Sequence, residues 1–438
     1  MTKKDYNIIF VCFDGLQAKH LHEYGYPLET TPNLDSFLKK STLFLNAISP
    51  APWTVPAHMS IFTSMLSSEH KVVNKFVEYD KAANKMVGAN LNKLRPDAVT
   101  LAQILKQRGY RTAAFTGDAG VSASFGFDAG FDTFYQTDKP FQGFDETIPL
   151  ALNWLSLNKN DKFFLFLHGY DVHGQNQPKD GYDYRYVNKP YHGVYSGSTK
   201  EQAALREEGL DKGDLTMSDE DITFWRAVYD EKINRTDEKF GYFIKQIDKM
   251  GLLQNTIVVV FSDHGTEFME HKKFDHGHSL YSELINVLMA FYVPDKKSQI
   301  IKEPVSTLDI FPTIFGLLSE DISPIKQVRG YDLSLVIDEG GAVPKINIFS
   351  ETDYRLYTHK RSIQTPDGWK LIITMYNSGN EKELYNLKND PNETVNLIHD
   401  QPRIGYELEQ LVYNKLNEMQ ANGPWNLGCL PVYSDQCQ

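Results

Sequence analysis

The chain reads as a layered α/β protein with a mostly parallel, mixed central sheet, followed by a small C-terminal antiparallel sheet with a helix. Three observations predict this. Short, almost wholly apolar runs recur up to about residue 345, as strands buried on both faces require. Amphipathic helical stretches lie between them, and that alternation produces layers. After about residue 345 a stretch alternates around a Pro-Asp-Gly turn, which predicts an antiparallel hairpin.

The predicted strands are "NIIFVCF" (7–13), "RTAAFT" (111–116), "KFFLFLHGY" (162–170), "NTIVVVFS" (255–262) and "LMAFYV" (288–293). "TTPNLDSFLKKS" predicts a helix with Pro32 early and Leu34, Phe37 and Leu38 on one face. "TLAQILKQRGY" predicts another, opened by Thr100 and stopped by Gly109. "WRAVYDEKINRTDEKFGYFIKQIDKMGLL" is a long third. These elements group into an α/β domain over 1–345 and a smaller α+β unit over 346–438, ending in the helix "YELEQLVYNKLNEMQA". The segment 175–218 is rich in Tyr, Gly, Lys and Asp with weak periodicity. It reads as a surface insertion: a solvated loop, or a lid or substrate-selecting wall.

Of the 438 residues, 41% are apolar and 13% aromatic, which supports a substantial core. A net charge of −12 argues against nucleic acid as the partner, because phosphate backbones select basic faces. Cys12 lies in an apolar run; Cys429 and Cys437 could pair near the C-terminus, but an odd count implies no disulfide framework. No apolar run approaches the roughly 20 residues that a membrane span needs. The charged start "MTKKDYN" carries no signal-peptide pattern. A cytoplasmic location is the expectation, and the sequons at Asn234 and Asn392 are then chance matches.

Three predicted strands end in chemistry: Asp14-Gly15, His168 through Asp171 to His173, and Asp263-His264-Gly265. In open α/β sheets ligands bind beyond the carboxyl ends of the strands. An adjacent carboxylate and imidazole suit a divalent metal, and Asp14 adds a second carboxylate. Thr54 in "SPAPWTVPAHMSIFTSM" offers a hydroxyl where proline-bounded chain turns into a helix beginning near Ala57. A threonine hydroxyl is a weak nucleophile at neutral pH, and metal coordination would lower its pKa. Asp14, Thr54, Asp263 and His264 are therefore the candidate metal set. His58, His173, and His276 or His278 are candidates for balancing charge on an oxyanion or leaving group. Lys19, Trp53 and His168 are candidate substrate contacts.

At this point the chain resembles the sulfatase family of the alkaline phosphatase superfamily. The N-terminal block through "SPAPWTVPAHMSIFTSMLSSEH" is followed in the family's order by "TLAQILKQRGYRTAAFTGD", "FFLFLHGYDVHG", "YDEKINRTDEKFG", "SDHGTEF", "HGHSLYSELINV" and "STLDIFPTI". "ELYNLKNDPNETVNL" resembles its C-terminal signature. The resemblance implies an alkaline-phosphatase-like three-layer sandwich. It implies that Asp14, Asp263 and His264 are metal ligands, that Thr54 is the nucleophile, and that His173 and one of His276 and His278 contact the transferred group.

The chain departs from the family at several places, among them Asp263-His264 where ester-sulfate hydrolases carry Asp-Asn. Sulfatases carry Cys or Ser in Cys/Ser-x-Pro-x-Arg and convert it to an aldehyde hydrate, whereas this chain has Thr54-Val55-Pro56-Ala57-His58. The family often has a second acid just after the first; here Gly15, Gln17 and Lys19 follow, and the Lys19 ammonium would replace part of that charge. The expectation is a sulfatase-family hydrolase or transferase of phosphate mono- or diesters or phosphonate esters, using a covalent Thr54 intermediate and one divalent ion, zinc or manganese, with calcium as the alternative. The substrate is a small-molecule, glycan-linked or lipid-linked phosphate or sulfate ester. The alternatives are a sulfuric ester hydrolase without formylglycine and a non-catalytic anion-binding or glycan-binding relative.

Overall fold

The run Asn7–Phe13 is buried along its whole length, so it can only be a central strand covered on both faces. The structure, a computed structural model, describes residues 5–73, 78–80, 85–87, 93–355, 358–376 and 378–421. The main sheet has eight strands: β1 Asn7–Phe13, β2 Thr42–Phe44, β3 Arg111–Thr116, β4 Thr133–Gln136, β5 Phe163–Gly169, β6 Thr256–Phe261, β7 Met289–Tyr292 and β8 Gln299–Ile301. Their spatial order is β8-β2-β7-β6-β1-β5-β3-β4. β1 lies parallel between β5 and β6, with Ile8 opposite Phe164 and Ile257. Only β7 runs against its neighbours. All five predicted strands are present to within one residue at each end. β2, β4 and β8 were not predicted.

The principal helices are α1 Pro32–Leu38, α2 Thr54–Thr63, α3 Leu101–Gln107, α4 Phe144–Asn158, α5 Thr199–Lys212, α6 Asp219–Lys249, α7 Ile310–Leu317 and α8 Pro402–Ala421. Alternate residues of β1 divide the core between the two sheet faces. Ile8, Phe10 and Cys12 pack with Val55 and Met59 of α2, Leu101 and Leu105 of α3, and Phe311 of α7. Ile9, Val11 and Phe13 pack with Phe37 of α1, Phe144 and Leu155 of α4, and Phe240 of α6. That makes three layers. The Thr100 hydroxyl caps α3 by accepting from Gln103 N at 3.1 Å. α6 begins six residues before the predicted tryptophan, because Ser218 caps it and Asp219, Glu220 and Asp221 fill its first turn. No helix among the described residues is long and apolar enough to cross a membrane.

Two sequence expectations change. α2 starts at Thr54, with extended Trp53 as its cap residue, and Pro56 lies within the first turn, where its missing N–H costs nothing. The insertion 175–218 is not all loop. Ser198 and Glu201 form a capping box that starts α5, a 14-residue helix.

The C-terminal sheet is antiparallel, with β9 Ile348–Tyr354, β10 Thr358–Gln364, β11 Trp369–Tyr376 and β12 Gly379–Asn386 adjacent in that order. The predicted Pro-Asp-Gly turn joins β10 to β11. Leu408, Val412 and Leu416 of α8 cover one face, against Ile363, Leu371 and Leu384. Ile372 and Tyr385 meet Ile48, Leu280 and Leu284 from the first part of the chain. Cys429 and Cys437 lie outside the described residues.

Candidate active site

β1, β5 and β6 are adjacent, so their carboxyl ends deliver Asp14, His168 to His173, and Asp263-His264 to one place. Gly15 takes φ +76°, and a β-carbon there would stand 3.4 to 3.5 Å from the His173 and His264 rings. That positive φ, which glycine adopts without strain, presents its backbone N–H to Asp263 Oδ1 at 3.1 Å. The N-terminus of α2 brings in Thr54. Its hydroxyl oxygen lies 3.2 Å from Asp14 Oδ1 and 3.3 Å from His264 Nε2. All of these side chains are buried, Thr54 being 5% exposed and Asp14, Asp263 and His264 fully covered.

The hydrogen bonds fix how the groups face. His264 Nδ1–H donates to Gly265 O at 2.7 Å, which leaves Nε2 as the inward nitrogen. That nitrogen stands 3.5 Å from both Asp14 Oδ1 and Asp263 Oδ2. Burial opposes a charge on His264, but Asp263 and Asp14 beside it push its pKa up to about 9. Burial likewise opposes ionisation of Asp14, yet hydrogen bonds from His168 and His264 hold it well below the usual carboxylate range. Among the described residues, Asp263 Oδ2 is a buried oxygen without a hydrogen-bond donor. One ligand atom each from Asp14, Asp263 and His264 lies within 4.8 Å of the others. Two buried carboxylates, an imidazole nitrogen aimed between them and an undonated oxygen fit a divalent cation, with the Thr54 hydroxyl as a further oxygen.

The other candidate histidines fall into two groups. His173 and His276 stand at the cluster. The ring of His276 stacks on that of His264 at 4.4 Å and lies 4.7 Å from that of His173. His173 Nε2 lies 3.6 Å from Asp14 Oδ1 and makes no hydrogen bond, while burial pushes the pKa of the ring well below its ordinary value. His278 is elsewhere: its Nε2 pairs with Glu267 Oε2 at 2.9 Å. His276 is thus the member of that pair the fold brings to the cluster.

His58, His168 and Lys19 depart from expectation. His58 does not face the Thr54 hydroxyl. It is fully buried behind the first turn of α2, its Nδ1 2.9 Å from Thr54 O and 3.3 Å from Asp263 Oδ2, its Nε2 3.3 Å from Cys12 Sγ. It lies beside Asp263 on the core side, its Nδ1 hydrogen-bonded to the Thr54 carbonyl. His168 is also fully buried, and its Nε2 lies 2.9 Å from Asp14 Oδ2, so it holds Asp14 where a substrate contact was expected. Lys19 donates to Asn392 Oδ1 at 3.1 Å, which commits its ammonium to the C-terminal part of the chain. Trp53 is buried with its ring 5.4 Å from that of Tyr354, so it forms wall under the C-terminal sheet.

Four residues escaped the sequence reading. Asp275 faces His276 Nδ1 and lies 3.5 Å from Arg206 Nη1 of α5. Lys232 of α6 donates to His173 O at 3.1 Å, and burial lowers its pKa to about 8 against the pull of Asp275. The Tyr170 hydroxyl accepts from Gly120 N at 2.9 Å, next to Thr54. The one available signal was the Ser-x-x-Glu capping box at Ser198, which marks α5 as a helix able to present Arg206.

The fold is alkaline-phosphatase-like. Residues 6–320 match the sulfatase family model, and the chain belongs to the sulfatase family. It is 22% identical over 463 residues to arylsulfatase K of Mus musculus, covering 94% of this chain and 79% of that one. Among solved structures it is similar to BT4656 in complex with its substrate D-glucosamine-2-N,6-O-disulfate, with a TM-score of 0.72, 20% identity, and 96% and 99% of the two chains covered. It is similar also to the phosphonate monoester hydrolase of Agrobacterium radiobacter, with a TM-score of 0.71, 16% identity and 95% of each chain covered.

Proposed function

We propose that this chain is a metal-dependent hydrolase or transferase of phosphate mono- or diesters or phosphonate esters that works through a covalent Thr54 intermediate. The observation that carries the reading is the Thr54 hydroxyl at the N-terminus of a buried helix, 3.2 Å from Asp14 and 3.3 Å from His264. Threonine is a secondary alcohol, and its oxidation yields a ketone. The aldehyde hydrate of formylglycine catalysis is therefore unavailable, and direct attack by the hydroxyl oxygen is the remaining route. The fold shared with a phosphonate monoester hydrolase is consistent with phosphorus as the centre attacked.

Asp14, Asp263 and His264 would hold the divalent ion, which supplies Lewis acidity that lowers the pKa of the Thr54 hydroxyl. Thr54 Oγ1 attacks phosphorus, a P–O bond to Thr54 forms, and the P–O bond to the leaving alcohol breaks. The N-terminal N–H groups of α2 point at the developing negative charge. His173 and His276 stand where their ring N–H groups can donate hydrogen bonds to a non-bridging oxygen and the leaving oxygen, and the proton that Thr54 gives up on attack passes to the leaving alkoxide, which departs as alcohol. Water, or an acceptor alcohol, then attacks phosphorus and breaks the bond to Thr54.

Sulfate-ester hydrolysis is the second reading, favoured by relatives named as arylsulfatases. The test is a parallel assay of bis(para-nitrophenyl) phosphate, para-nitrophenyl phenylphosphonate and nitrocatechol sulfate, with metal content measured and Thr54 searched by mass spectrometry after a rapid quench for the para-nitrophenyl phosphoryl or phenylphosphonyl adduct. Diester or phosphonate turnover that disappears in Thr54→Ala, with the matching adduct found on Thr54, is the expected result. Turnover of the sulfate alone sinks the phosphorus reading.

A further inference from the structure

A threonine hydroxyl is aimed by rotation about χ1, so an oxygen that must stay near two partners needs its rotamer held. The loop after β3 lies against Thr54. A β-carbon added to Gly120 would stand 2.8 Å from Thr54 Cγ2, 3.1 Å from the Tyr170 hydroxyl and 3.2 Å from Thr54 Cβ. Side chains do not pack that closely, so the glycine backbone already fills the space beside the threonine methyl. Gly120 is not in the left-handed region, so its backbone is open to alanine and the obstacle is contact alone.

The loop cannot easily move away. Gly120 N donates to Tyr170 OH at 2.9 Å, Thr116 Oγ1 donates to Val121 O at 2.9 Å, and Gln142 N donates to Gly117 O at 3.1 Å. Asp118 and Ala119 are both held at positive φ, +62° and +61°, a conformation that non-glycine residues adopt only when their surroundings impose it. Tyr170 is itself fixed, its ring 4.6 Å from that of His168 and 5.3 Å from that of Phe141.

We infer that Gly120 is a positioning residue: by pressing on the Thr54 methyl it sets the rotamer that keeps Oγ1 near Asp14 and His264. The inference rests on Thr54 being the attacking group. It gives a physical reason for threonine in place of serine, because serine has no methyl for the loop to hold.

A double-mutant cycle tests it, with bis(para-nitrophenyl) phosphate as substrate and metal content and thermal unfolding as controls. Thr54→Ser keeps a hydroxyl but frees it, and kcat falls about 10-fold with KM little changed. Gly120→Ala drives a methyl into a methyl, and kcat falls about 100-fold or more, the scale of an ångström's misplacement of a reacting group. In the Thr54→Ser background the added methyl meets a smaller partner, and Gly120→Ala costs less than about 10-fold. A purely structural glycine would cost the same factor in both backgrounds, and that result overturns the inference. Should Gly120→Ala not fold, Tyr170→Phe removes the anchor of the Gly120 N–H and is expected to slow the threonine enzyme more than the serine one; equal slowing contradicts the inference. Crystal structures supply a readout independent of turnover: the serine oxygen of Thr54→Ser occupies more than one rotamer, and a single rotamer matching the native oxygen overturns the inference. Thr54→Ala separates the two ideas, since activity surviving in it refutes the nucleophile and the clamp together, whereas an inactive Thr54→Ala with an additive cycle refutes the clamp alone.

Discussion

His168 Nε2 lies 2.9 Å from Asp14 Oδ2, while the Thr54 hydroxyl meets the other oxygen of that carboxylate at 3.2 Å. The two oxygens of Asp14 are thus divided between a fixed donor on the core side and the reacting side. Burial lowers the pKa of His168, so its Nε2–H donates as a neutral imidazole and leaves the charge on Asp14.

Removing that donor should loosen the metal site without touching a ligand. His168→Ala is expected to weaken zinc or manganese binding about 10- to 100-fold. The buried oxygen left behind should also cost about 1–3 kcal/mol of stability. Calorimetric metal titration and urea unfolding measure the two effects. Unchanged affinity would show that Asp14 needs no support from His168.

Metal removal should silence the enzyme and soften the fold. Bound at 100 times its dissociation constant, an ion adds about 2.7 kcal/mol to stability. Dialysis against a chelator is therefore expected to abolish turnover and lower the melting temperature, and zinc or manganese should restore both. The double variant Asp263→Ala with His264→Ala should copy the metal-free state and bind no ion. Metal retained by that variant contradicts the ligand assignment.

These residues differ in how far the sequence disclosed them. β1, β5 and β6 were legible because both faces of each are buried, and only unbroken apolar runs meet that requirement. Asp14, Asp263 and His264 follow from those strands, whose ends converge. β2 and β8 have three residues each and carry no period long enough to detect. His58 was misplaced for a reason specific to helices. Side chains lean toward the helix N-terminus, so a histidine four residues after Thr54 turns back onto the Thr54 carbonyl and away from its hydroxyl. Lys19 and Arg206 depend on contacts with Asn392 and Asp275, which local pattern does not contain.

Docking of the C-terminal sheet offers a sharper stability test. Lys370 Nζ lies 2.6 Å from Glu393 Oε1, with neither side chain exposed, and Glu393 also accepts from Ser282 N at 2.6 Å. Lys370→Met strands a buried carboxylate and is expected to cost about 3–5 kcal/mol in urea unfolding. Adding Glu393→Gln should recover part of that loss, since no charge then remains buried there. A loss below about 1 kcal/mol would mean that water reaches the pair.

The same region should give the protein an alkaline stability limit. His271 Nδ1–H donates to Glu283 Oε1 at 2.6 Å, and its Nε2–H donates to Glu393 O at 3.0 Å. Acceptors at both nitrogens require the charged imidazolium. Burial opposes that charge, but Glu283 pushes the pKa of His271 up to about 9 from an ordinary 6.5. Because the folded value is the higher one, the stabilisation is complete below pH 6.5 and is lost as pH rises through about 9. Burial holds the Glu283 pKa near 7, so it loses its proton first and the pair is charged between about pH 7 and pH 9. The melting temperature should therefore fall from pH 7 to pH 9 in the native chain and change less in His271→Gln. Parallel curves for the two proteins across that window would show that His271 is not the group responsible.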